Sequence, residues 1–430
     1  MSKVRVGLVG LGTVGSGVAE IFSRHAEDFR RRAGVDMELI LLADRDEARR
    51  DALGIADANF TTDGMSVTTD PDVDVVIELI GGTGVARDIV LSALRNGKSV
   101  VTANKALIAT HGEEIMAAAE ASGVDVLFEA SVGGGIPIIG PLKHSLTSNE
   151  IESVVGIVNG TTNFMLTRMD RDGSSYEEAL AEAQELGYAE ADPTADVDGL
   201  DAAAKIAILA SIAFNSRVVM SQVPAEGIRG LKAADVEYGQ AMGYAIKLLA
   251  IARRTDEGID VRVHPTMIPE DHPLAAVSGV YNAIYVTGDA VGETMFFGEG
   301  AGSLPAASAV VGDLIEVARR LQAGNVKPLV GCTCTEQLPI RDISLLETRF
   351  YVRMMVADKP GVLAATAKVF GDNGVSLASV IQQSDDESGV AELVYVTHAA
   401  RESAVRTALA QIENMDVVVE VASVIRVEDL

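Results

Sequence analysis

The N-terminal stretch Val4-Arg5-Val6-Gly7-Leu8-Val9-Gly10-Leu11-Gly12-Thr13-Val14-Gly15 decides the fold of the first part of this chain. A short apolar run leads directly into the spacing Gly-x-Gly-x-x-Gly, and a helical pattern follows. In this setting Gly10 suits a tight turn, Gly12 the close approach of a pyrophosphate, and Gly15 the packing of a helix on a strand. We therefore expect a dinucleotide at this helix N-terminus, and the alternative is a tight structural turn.

The rest of the first 140 residues alternates short β-branched apolar runs with helical patterns, which is typical of an α/β fold with a parallel sheet. Strands are predicted at Val4–Val9, Met37–Leu42, Val73–Leu79, Ser99–Thr102 and Asp125–Phe128, and helices at Val14–Phe29, Val85–Asn96 and Gly112–Ser122. We expect a Rossmann domain over residues 1–140.

The pattern changes after Pro141, where strand-like stretches mix with long helices. We expect an α+β substrate-binding and dimerisation domain over 141–325, whose last helix, at about 304–321, packs back on the first domain. Helices are predicted at Tyr176–Leu186, Leu200–Phe214 and Ala233–Arg254, and strands at Ile151–Val158, Val261–Met267 and Asn282–Thr287. Residues 326–347 are an expected linker. Over 348–430 the order βαββαβ predicts a small ferredoxin-like domain.

Composition limits the class of protein. The 430 residues carry 35 basic and 62 acidic side chains, a net charge of 35 − 62 = −27, and 48% are hydrophobic, which indicates a globular chain. The negative charge argues against nucleic-acid or anionic-membrane partners. No secretory signal or membrane span is visible, and the two cysteines suit a reducing compartment, so we expect a cytoplasmic protein.

The end of the second strand bears on the choice of cofactor. The segment Leu41-Leu42-Ala43-Asp44-Arg45-Asp46 places an acidic and a basic side chain side by side. An acidic residue here would hold the ribose 2′-hydroxyl of NAD, whereas an arginine would accommodate the 2′-phosphate of NADP. The residues themselves leave both cofactors open, and either side chain could be a solvated loop charge.

The segment from Gly187 to Ile206 contains five carboxylates and leads into a helix that is apolar on nearly every face. A helix of this kind is buried, so we expect Lys205 to be withdrawn from water, with Asp201 one turn before it. Burial lowers the pKa of a lysine and a nearby carboxylate raises it, so such a pair can exchange protons. The alternative is an ordinary salt bridge on the surface.

Two further segments follow predicted strands at the edge of the sheet where ligands bind. Thr102-Ala103-Asn104-Lys105 follows the fourth strand, so Lys105 is either a cofactor or substrate contact or a loop lysine. Glu129-Ala130-Ser131-Val132-Gly133-Gly134-Gly135-Ile136-Pro137 follows the fifth. Its consecutive glycines let carbonyl groups turn toward one point, which suits a monovalent ion, or they provide flexibility between domains.

Together these motifs resemble the homoserine dehydrogenase family. The resemblance rests on Asn159-Gly160-Thr161-Thr162-Asn163-Phe164-Met165-Leu166, on Glu190 through Lys205, and on the segments that end at Lys105 and Pro137, and it runs from residue 1 to about 325. The segment Val356-Ala357-Asp358-Lys359-Pro360-Gly361-Val362-Leu363 resembles the opening of an ACT domain, which the long bacterial members carry.

The resemblance implies a reversible, NAD(P)H-dependent reduction of aspartate 4-semialdehyde to homoserine, in threonine and methionine biosynthesis. Lys205 then matches the proton donor and Asp201 the residue that orients it. The expected substrate contacts are Glu190, Asp196, Lys105, Gly160 and Thr161. A positioned acid is needed because hydride arriving at the aldehyde carbon leaves negative charge on oxygen.

The resemblance also implies where the cofactor and an ion bind. The expected cofactor contacts are Gly10, Gly12, Thr13, Val14, Gly15, Arg45, Lys105 and Gly300, and the expected sodium site is formed by Glu129, Val132, Gly134 and Ile136, largely through carbonyl oxygens. The segment Gly298-Glu299-Gly300-Ala301-Gly302 resembles one that closes over the cofactor. Arg45 favours NADP, with use of NAD as well.

The ACT domain implies regulation and assembly. Such domains usually bind a small amino acid between paired copies, so the resemblance implies threonine as an effector and a homo-oligomer, either a dimer or a tetramer. Two alternatives remain: another NAD(P)-dependent amino-acid oxidoreductase, which would not need the Glu190–Lys205 segment, and a non-catalytic ACT-domain sensor, which would tolerate loss of Lys205.

Overall fold

The structure is a computed structural model that describes residues 3–53, 58–324, 332–385 and 389–430. The chain forms two compact units. The first unit comprises residues 1–154, 204–222 and 282–338, and the second comprises 155–203, 223–281 and 339–430. Residues 326–331 of the expected linker lie outside the described residues.

The first 150 residues contain a parallel sheet and its helices. The elements are β1 (Val4–Val9), α1 (Thr13–Asp28), β2 (Met37–Ala43), α2 (Glu47–Leu53), β3 (Asn59–Thr61), α3 (Gly64–Thr69), β4 (Val75–Glu78), α4 (Val85–Arg95), β5 (Ser99–Thr102), α5 (Lys105–Ser122) and β6 (Val126–Leu127). The strand order is β3-β2-β1-β4-β5-β6, and all neighbours run parallel. This is the order of a dinucleotide-binding sheet, and the predicted α/β class is confirmed.

The remaining elements follow in chain order. They are β7 (Ile151–Ile157), α6 (Gly160–Asp172), α7 (Tyr176–Glu185), α8 (Thr194–Val197), α9 (Leu200–Ala213), α10 (Ala233–Ala241), β8 (Tyr244–Thr255), β9 (Gly258–Pro269), β10 (Tyr281–Gly288), β11 (Gly292–Glu299), α11 (Ser303–Gln322), β12 (Glu347–Ala357), α12 (Val362–Asp372), β13 (Leu377–Asp385), β14 (Val390–Thr397), β15 (Ala400–Arg401), α13 (Glu402–Glu413) and β16 (Val418–Val427).

Helix α11 belongs to the first unit and packs against α1 there. The two helices approach closely because Gly17 has no side chain, and a Cβ at this position would lie 2.9 Å from the Cβ of Ala307. Apolar residues of both helices, including Val18 and Leu314, are fully buried in the same core as the central strands. The Ser303 hydroxyl also donates to the Thr13 carbonyl over 2.6 Å. The cofactor loop is thus supported by a helix almost 300 residues later in the sequence.

In the second unit, strands β8, β9, β16, β12, β14 and β13 lie side by side in that order. The last four form the 4-1-3-2 arrangement of a ferredoxin-like domain, because β12, β13, β14 and β16 are its first, second, third and fourth long strands. Helices α12 and α13 contribute Phe370 and Ile412 to its core. The order βαββαβ predicted from sequence is present, with the two-residue strand β15 in addition.

One prediction of secondary structure is wrong. The helix expected over Ala233–Arg254 ends after Ala241, and β8 begins at Tyr244. Between them Gly243 has φ +78°, a left-handed conformation that ends the helix. The residues that follow favour helix by propensity, but β8 pairs along its whole length with β9, and this tertiary pairing overrides the local preference.

Other elements differ from the prediction as well, and α2, β3, α3 and α6 were not predicted. Helix α5 begins at Lys105, earlier than predicted, because Asn104 caps it by accepting a hydrogen bond from the Leu107 N–H group. Strand β11 is an additional element in the first unit next to β10. Within the described residues, no helix is long and apolar enough to cross a membrane.

Candidate active site

The glycine-rich loop after β1 is shaped by contacts that only glycine permits. Gly10 has φ +99°, and a Cβ on Gly15 would lie 2.0 Å from the Gly10 carbonyl oxygen. Gly12 differs, because the nearest atom to a Cβ there is an Arg49 nitrogen at 3.8 Å. The loop therefore needs Gly10 and Gly15 for its own packing, whereas Gly12 leaves open space for a ligand.

The loop opens onto a cleft of about 750 Å³ within the first unit, and Arg45 and Arg49 line it. At its edge Asp44 accepts a hydrogen bond from the Leu11 N–H group over 2.7 Å and another from the Asp46 N–H group over 2.9 Å. Burial alone would raise the pKa of Asp44, but these two N–H groups and the Arg49 charge lower it. Asp44 thus anchors the glycine loop, and the cleft has two cationic side chains.

A buried carboxylate holds two further loops in place at the same edge of the sheet. Glu78, the last residue of β4, is fully buried and accepts hydrogen bonds from the N–H groups of Ile80 and Gly81 and from the Thr102 hydroxyl. The Asn104 amide donates to the Gly82 carbonyl over 2.7 Å. These contacts fix the loops after β4 and β5 against each other. Lys105, the first residue of α5, directly follows the second of these loops and is half-buried.

In the second unit Asn159 brings two of the predicted carboxylates together. Its Nδ2 donates to Asp196 over 2.7 Å and to Asp201 over 2.9 Å. Its Oδ1 accepts from the Thr162 N–H group and so caps helix α6. The Asn159 amide therefore caps α6 and also joins Asp196 of α8 and Asp201 of α9 into a half-buried anionic cluster.

The other predicted contacts in this unit lie around the same helix N-terminus. Gly160 is the first residue of α6, and the buried Thr161 hydroxyl donates to the Tyr188 carbonyl over 2.6 Å. Glu190 has an exposed side chain, and its carbonyl accepts from Gln184. Among the described residues no hydrogen bond or ion pair joins the Glu190 carboxylate to the cluster around Asn159.

Lys205 lies on α9 one turn after Asp201. Both side chains are 8% exposed, and the helix around them consists of buried alanine, isoleucine and leucine residues. The helical geometry places the two residues on the same face. The expectation that this lysine is withdrawn from bulk water therefore agrees with the structure.

The glycine run in the first unit presents three carbonyl groups without hydrogen bonds. Within the described part of the chain, no donor reaches the carbonyl oxygens of Val132, Gly134 or Ile136, although all three residues are buried. Buried carbonyl groups are normally paired, so these three oxygens are candidate ligands for a cation. Oxygen donors suit a hard monovalent or divalent ion.

Glu129 supports this run with its side chain. One carboxylate oxygen accepts from the Ile138 and Ile139 N–H groups, at 2.6 and 2.7 Å, and the other accepts from Gly140 over 2.6 Å. The Glu129 N–H group donates to Asp313 over 2.8 Å. Burial raises the pKa of Asp313 well above its usual value, and the Glu129 carboxylate raises it further.

The segment Gly298–Gly302 packs against the same run. A Cβ on Gly134 would lie 2.5 Å from the Gly300 carbonyl oxygen, and the Gly135 N–H group donates to the Glu299 carbonyl over 3.1 Å. A Cβ on Gly300 would lie 1.9 Å from the side-chain amide nitrogen of Asn282. The Asn282 side chain is buried, and within the described residues neither of its polar atoms has a hydrogen-bond partner.

Comparison with known proteins identifies the family. Residues 137–315 match the model described as homoserine dehydrogenase, residues 10–129 match its NAD-binding domain, and residues 350–415 match the ACT domain. The homoserine dehydrogenase of Synechocystis sp. is 48% identical over 99% of both chains. The chain belongs to the homoserine dehydrogenase family. Its members are NAD(P)-dependent oxidoreductases, so the resemblance predicted from sequence is confirmed.

Other homoserine dehydrogenases match this chain over most or all of its length. The enzyme of Corynebacterium glutamicum is 46% identical over 99% of this chain and 96% of its own. The crystal structure from Thiobacillus denitrificans superposes with a TM-score of 0.94 at 44% identity, over 100% of this chain and 99% of that one. A hyperthermophilic archaeal homoserine dehydrogenase in complex with NADPH has a TM-score of 0.63 at 28% identity, over 74% of this chain and 98% of that one.

Several contributors to the site of this homoserine dehydrogenase family member were not singled out from sequence. Asn159, Glu78 and Asp313 act by holding other groups, Asn282 packs against Gly300, and Arg49 reaches the cofactor cleft from α2. Only Glu78 had a readable signal, since it ends a strand at the ligand-binding edge of a parallel sheet. The others depend on contacts between segments that are distant in sequence.

Proposed function

We propose that this chain reduces aspartate 4-semialdehyde reversibly to homoserine, with NADPH preferred over NADH and Lys205 as the proton donor. The observation that carries the proposal is a buried lysine on an apolar helix, one turn after Asp201, whose carboxylate is already bound by Asn159. The bound cofactor supplies the hydride. Such a reaction places the enzyme on a route from aspartate to threonine and methionine.

Lys205 meets the requirements of a general acid. Hydride addition leaves negative charge on the aldehyde oxygen, and a positioned proton donor stabilises this charge as it forms. The low polarity around α9 strengthens the interaction, because water does not screen it. Asp201 acts on Lys205 by fixing its position on the helix face and by balancing its charge, and Asn159 in turn holds Asp201.

The carboxylate cluster offers a binding group for the other end of the substrate. Asp196 and Asp201 share one amide, so their negative charges lie close together and favour a cation. The α-ammonium group of an amino-acid substrate is such a cation. Glu190, exposed beyond the end of α7, adds negative charge in the same unit, while Gly160 and Thr161 provide an α6 N-terminus suited to a carboxylate.

The preference for NADPH rests on the two arginines of the cofactor cleft. Asp44, which would hold the ribose 2′-hydroxyl of NAD, is engaged with the Leu11 N–H group and Arg49. Arg45 and Arg49 both line the cleft, and a 2′-phosphate can bind to Arg45 and to the guanidinium donors of Arg49 that Asp44 does not use, since arginine is well suited to phosphate. We expect Arg49→Ala to lower the ratio of NADPH to NADH efficiency about tenfold or more, equivalent to about 1.4 kcal/mol.

The carbonyl oxygens of Val132, Gly134 and Ile136 are proposed to hold a monovalent cation, with sodium expected. A cation there would join the glycine run to the Gly298–Gly302 segment, whose contact with Gly134 is already close. Its role would be to fix the loop after β6. Lys105 and Gly300 are proposed to contact the cofactor beside these two loops.

The ferredoxin-like domain is proposed to bind threonine and to pair with a second copy, giving a dimer or tetramer. Its loop Asp358–Gly361 ends in Gly361, which has φ +92° and is the N-cap of α12. Backbone N–H groups at this helix N-terminus can receive a carboxylate. Threonine at rising concentration is expected to reduce turnover, and size-exclusion chromatography with light scattering measures the assembly.

The first experiment follows NADPH and NADH oxidation by absorbance with aspartate 4-semialdehyde, in sodium and in potassium buffer, with and without threonine. Lys205→Ala is expected to lower kcat by about 10²–10⁴-fold while leaving NADPH affinity unchanged. Lys3→Ala, an exposed lysine of the same unit, is the matched control. Full activity of Lys205→Ala would refute the proton-donor role, and no turnover by the wild-type protein would refute the substrate.

A further inference from the structure

A second cleft in the first unit shares none of the residues that line the cofactor cleft. Its walls come from α5, from the C-terminal half of α9 and from the segment that starts at Cys332. The cleft is mostly apolar, but Lys143, Arg217 and the two cysteines of the chain, Cys332 and Cys334, all line it. The proposed reaction uses none of these four side chains.

The two thiols are in contact and differ in environment. Cys332 is exposed, whereas Cys334 is half-buried, lies within 3.9 Å of the Ser211 carbonyl oxygen and is hydrogen-bonded with Cys332. Burial and, to a smaller extent, the neighbouring Cys332 together raise the pKa of the Cys334 thiol to about 12. Cys334 is therefore a protonated thiol placed beside an accessible one.

Two cations face this pair. The Lys143 side chain is 9% exposed, and its Nζ lies 5.1 Å from the centre of the Phe128 ring. Burial lowers the pKa of Lys143, and the charge interactions with Cys332 and Cys334 oppose this effect. Arg217 also acts on Cys334 electrostatically. Cations beside a thiol stabilise its thiolate, which is the nucleophilic form.

We propose that Cys332 and Cys334 form a redox-modification site that reduces hydrogen peroxide and closes a reversible intrachain disulfide. The Cys332 thiolate attacks a peroxide oxygen, so that an S–O bond forms, the O–O bond breaks and hydroxide leaves as water after protonation. The Cys334 sulfur then displaces water from the sulfenic acid and gives up its proton. The two sulfurs lose two electrons, and one peroxide becomes two waters.

The test uses the full chain after reduction and removal of the reductant. Hydrogen peroxide is titrated in, free thiols are counted and the intact mass is measured. Because the chain has only two cysteines, the expected product is unambiguous: both thiols disappear together, the mass falls by two hydrogen atoms, and a denaturing gel without reductant shows single chains. Linked chains, or thiols that persist at peroxide levels that oxidise free cysteine, would overturn the proposal.

Single variants separate the two roles. Cys334→Ser is expected to stop at a sulfenic acid on Cys332, which dimedone traps, whereas Cys332→Ser should keep its remaining thiol under the same conditions. Lys143→Met should slow oxidation about tenfold, because it removes a cation from the cleft that the two thiols line. Lys98→Met removes another buried lysine of the same unit as a control. Equal oxidation rates for the two lysine variants, or equal reactivity of the two cysteine variants, would contradict the assigned roles.

Discussion

The glycine-rich loops of the first unit and the carboxylate cluster of the second unit prepare for ligands in different ways. The loops around Gly12 and Gly134 offer backbone groups, and side chains matter there mainly by being absent. The cluster around Asn159 offers side chains, and a single amide holds two carboxylates. A site built from backbone groups should therefore tolerate changes of apolar side chains but be disrupted by an added Cβ. A site built from side chains should lose function when one polar atom is removed.

The largest expected effect tests the first half of this comparison. Gly15→Ala would place a Cβ 2.0 Å from the Gly10 carbonyl, so we expect a loss of about 3 kcal/mol in unfolding free energy. Gly12→Ala meets no atom within 3.4 Å and should change stability by less than about 0.5 kcal/mol while weakening NADPH binding about tenfold or more. Chemical denaturation and NADPH titration measure the two quantities, and equal stability losses would contradict the distinction.

The second prediction addresses the side-chain cluster. Asn159→Leu leaves Asp196 and Asp201 without their shared donor, and we expect kcat to fall about 10–100-fold, since positioning of the catalytic helix is lost. Asn159→Ser keeps a helix cap but cannot reach both carboxylates. Compared with Asn159→Leu, it should therefore recover more of the stability than of kcat. Recovery of kcat and stability in parallel would show that Asn159 acts only as a cap.

The third prediction sharpens the comparison at the proposed cation site. Gly134→Ala would bring a Cβ to 2.5 Å from the Gly300 carbonyl at a residue with φ +55°, and we expect activation by sodium to fall about fivefold or more. Ile136→Val keeps the carbonyl group and should cost only about 1 kcal/mol of stability, with the sodium response unchanged. A sodium response altered by Ile136→Val would mean that the site is not built from backbone oxygens.

The smallest effect concerns a buried charge of the second unit. Burial lowers the pKa of Lys247 to about 8 from 10.5, and its Nζ donates to the Val277 carbonyl. Between these pH values the unfolded chain binds more protons than the folded one, so this lysine makes stability rise with pH, by at most about 1.4 kcal/mol per pH unit. Lys247→Met should remove that part of the rise. Identical pH slopes of denaturation for both proteins would contradict the shift.

The sequence predicted most of the fold because the deciding signals are local. The glycine spacing after β1 and the order βαββαβ at the C-terminus each follow from neighbouring residues, and both are present in the structure. The helix predicted over Ala233–Arg254 failed for the opposite reason. Its second half pairs with β9, and a residue pattern cannot reveal a partner strand that lies further along the chain.

By itself, the sequence determined the parallel sheet, the glycine loop, the ferredoxin-like order of strands and the burial of Lys205, because each depends on the spacing of apolar and glycine residues within one segment. The tertiary structure alone decided that Asn159 joins Asp196 to Asp201, that no donor among the described residues reaches the carbonyl oxygens of Val132, Gly134 and Ile136, and that two thiols line one cleft with Lys143. These features depend on distances between atoms of separate segments, and only packing of the whole chain fixes such distances.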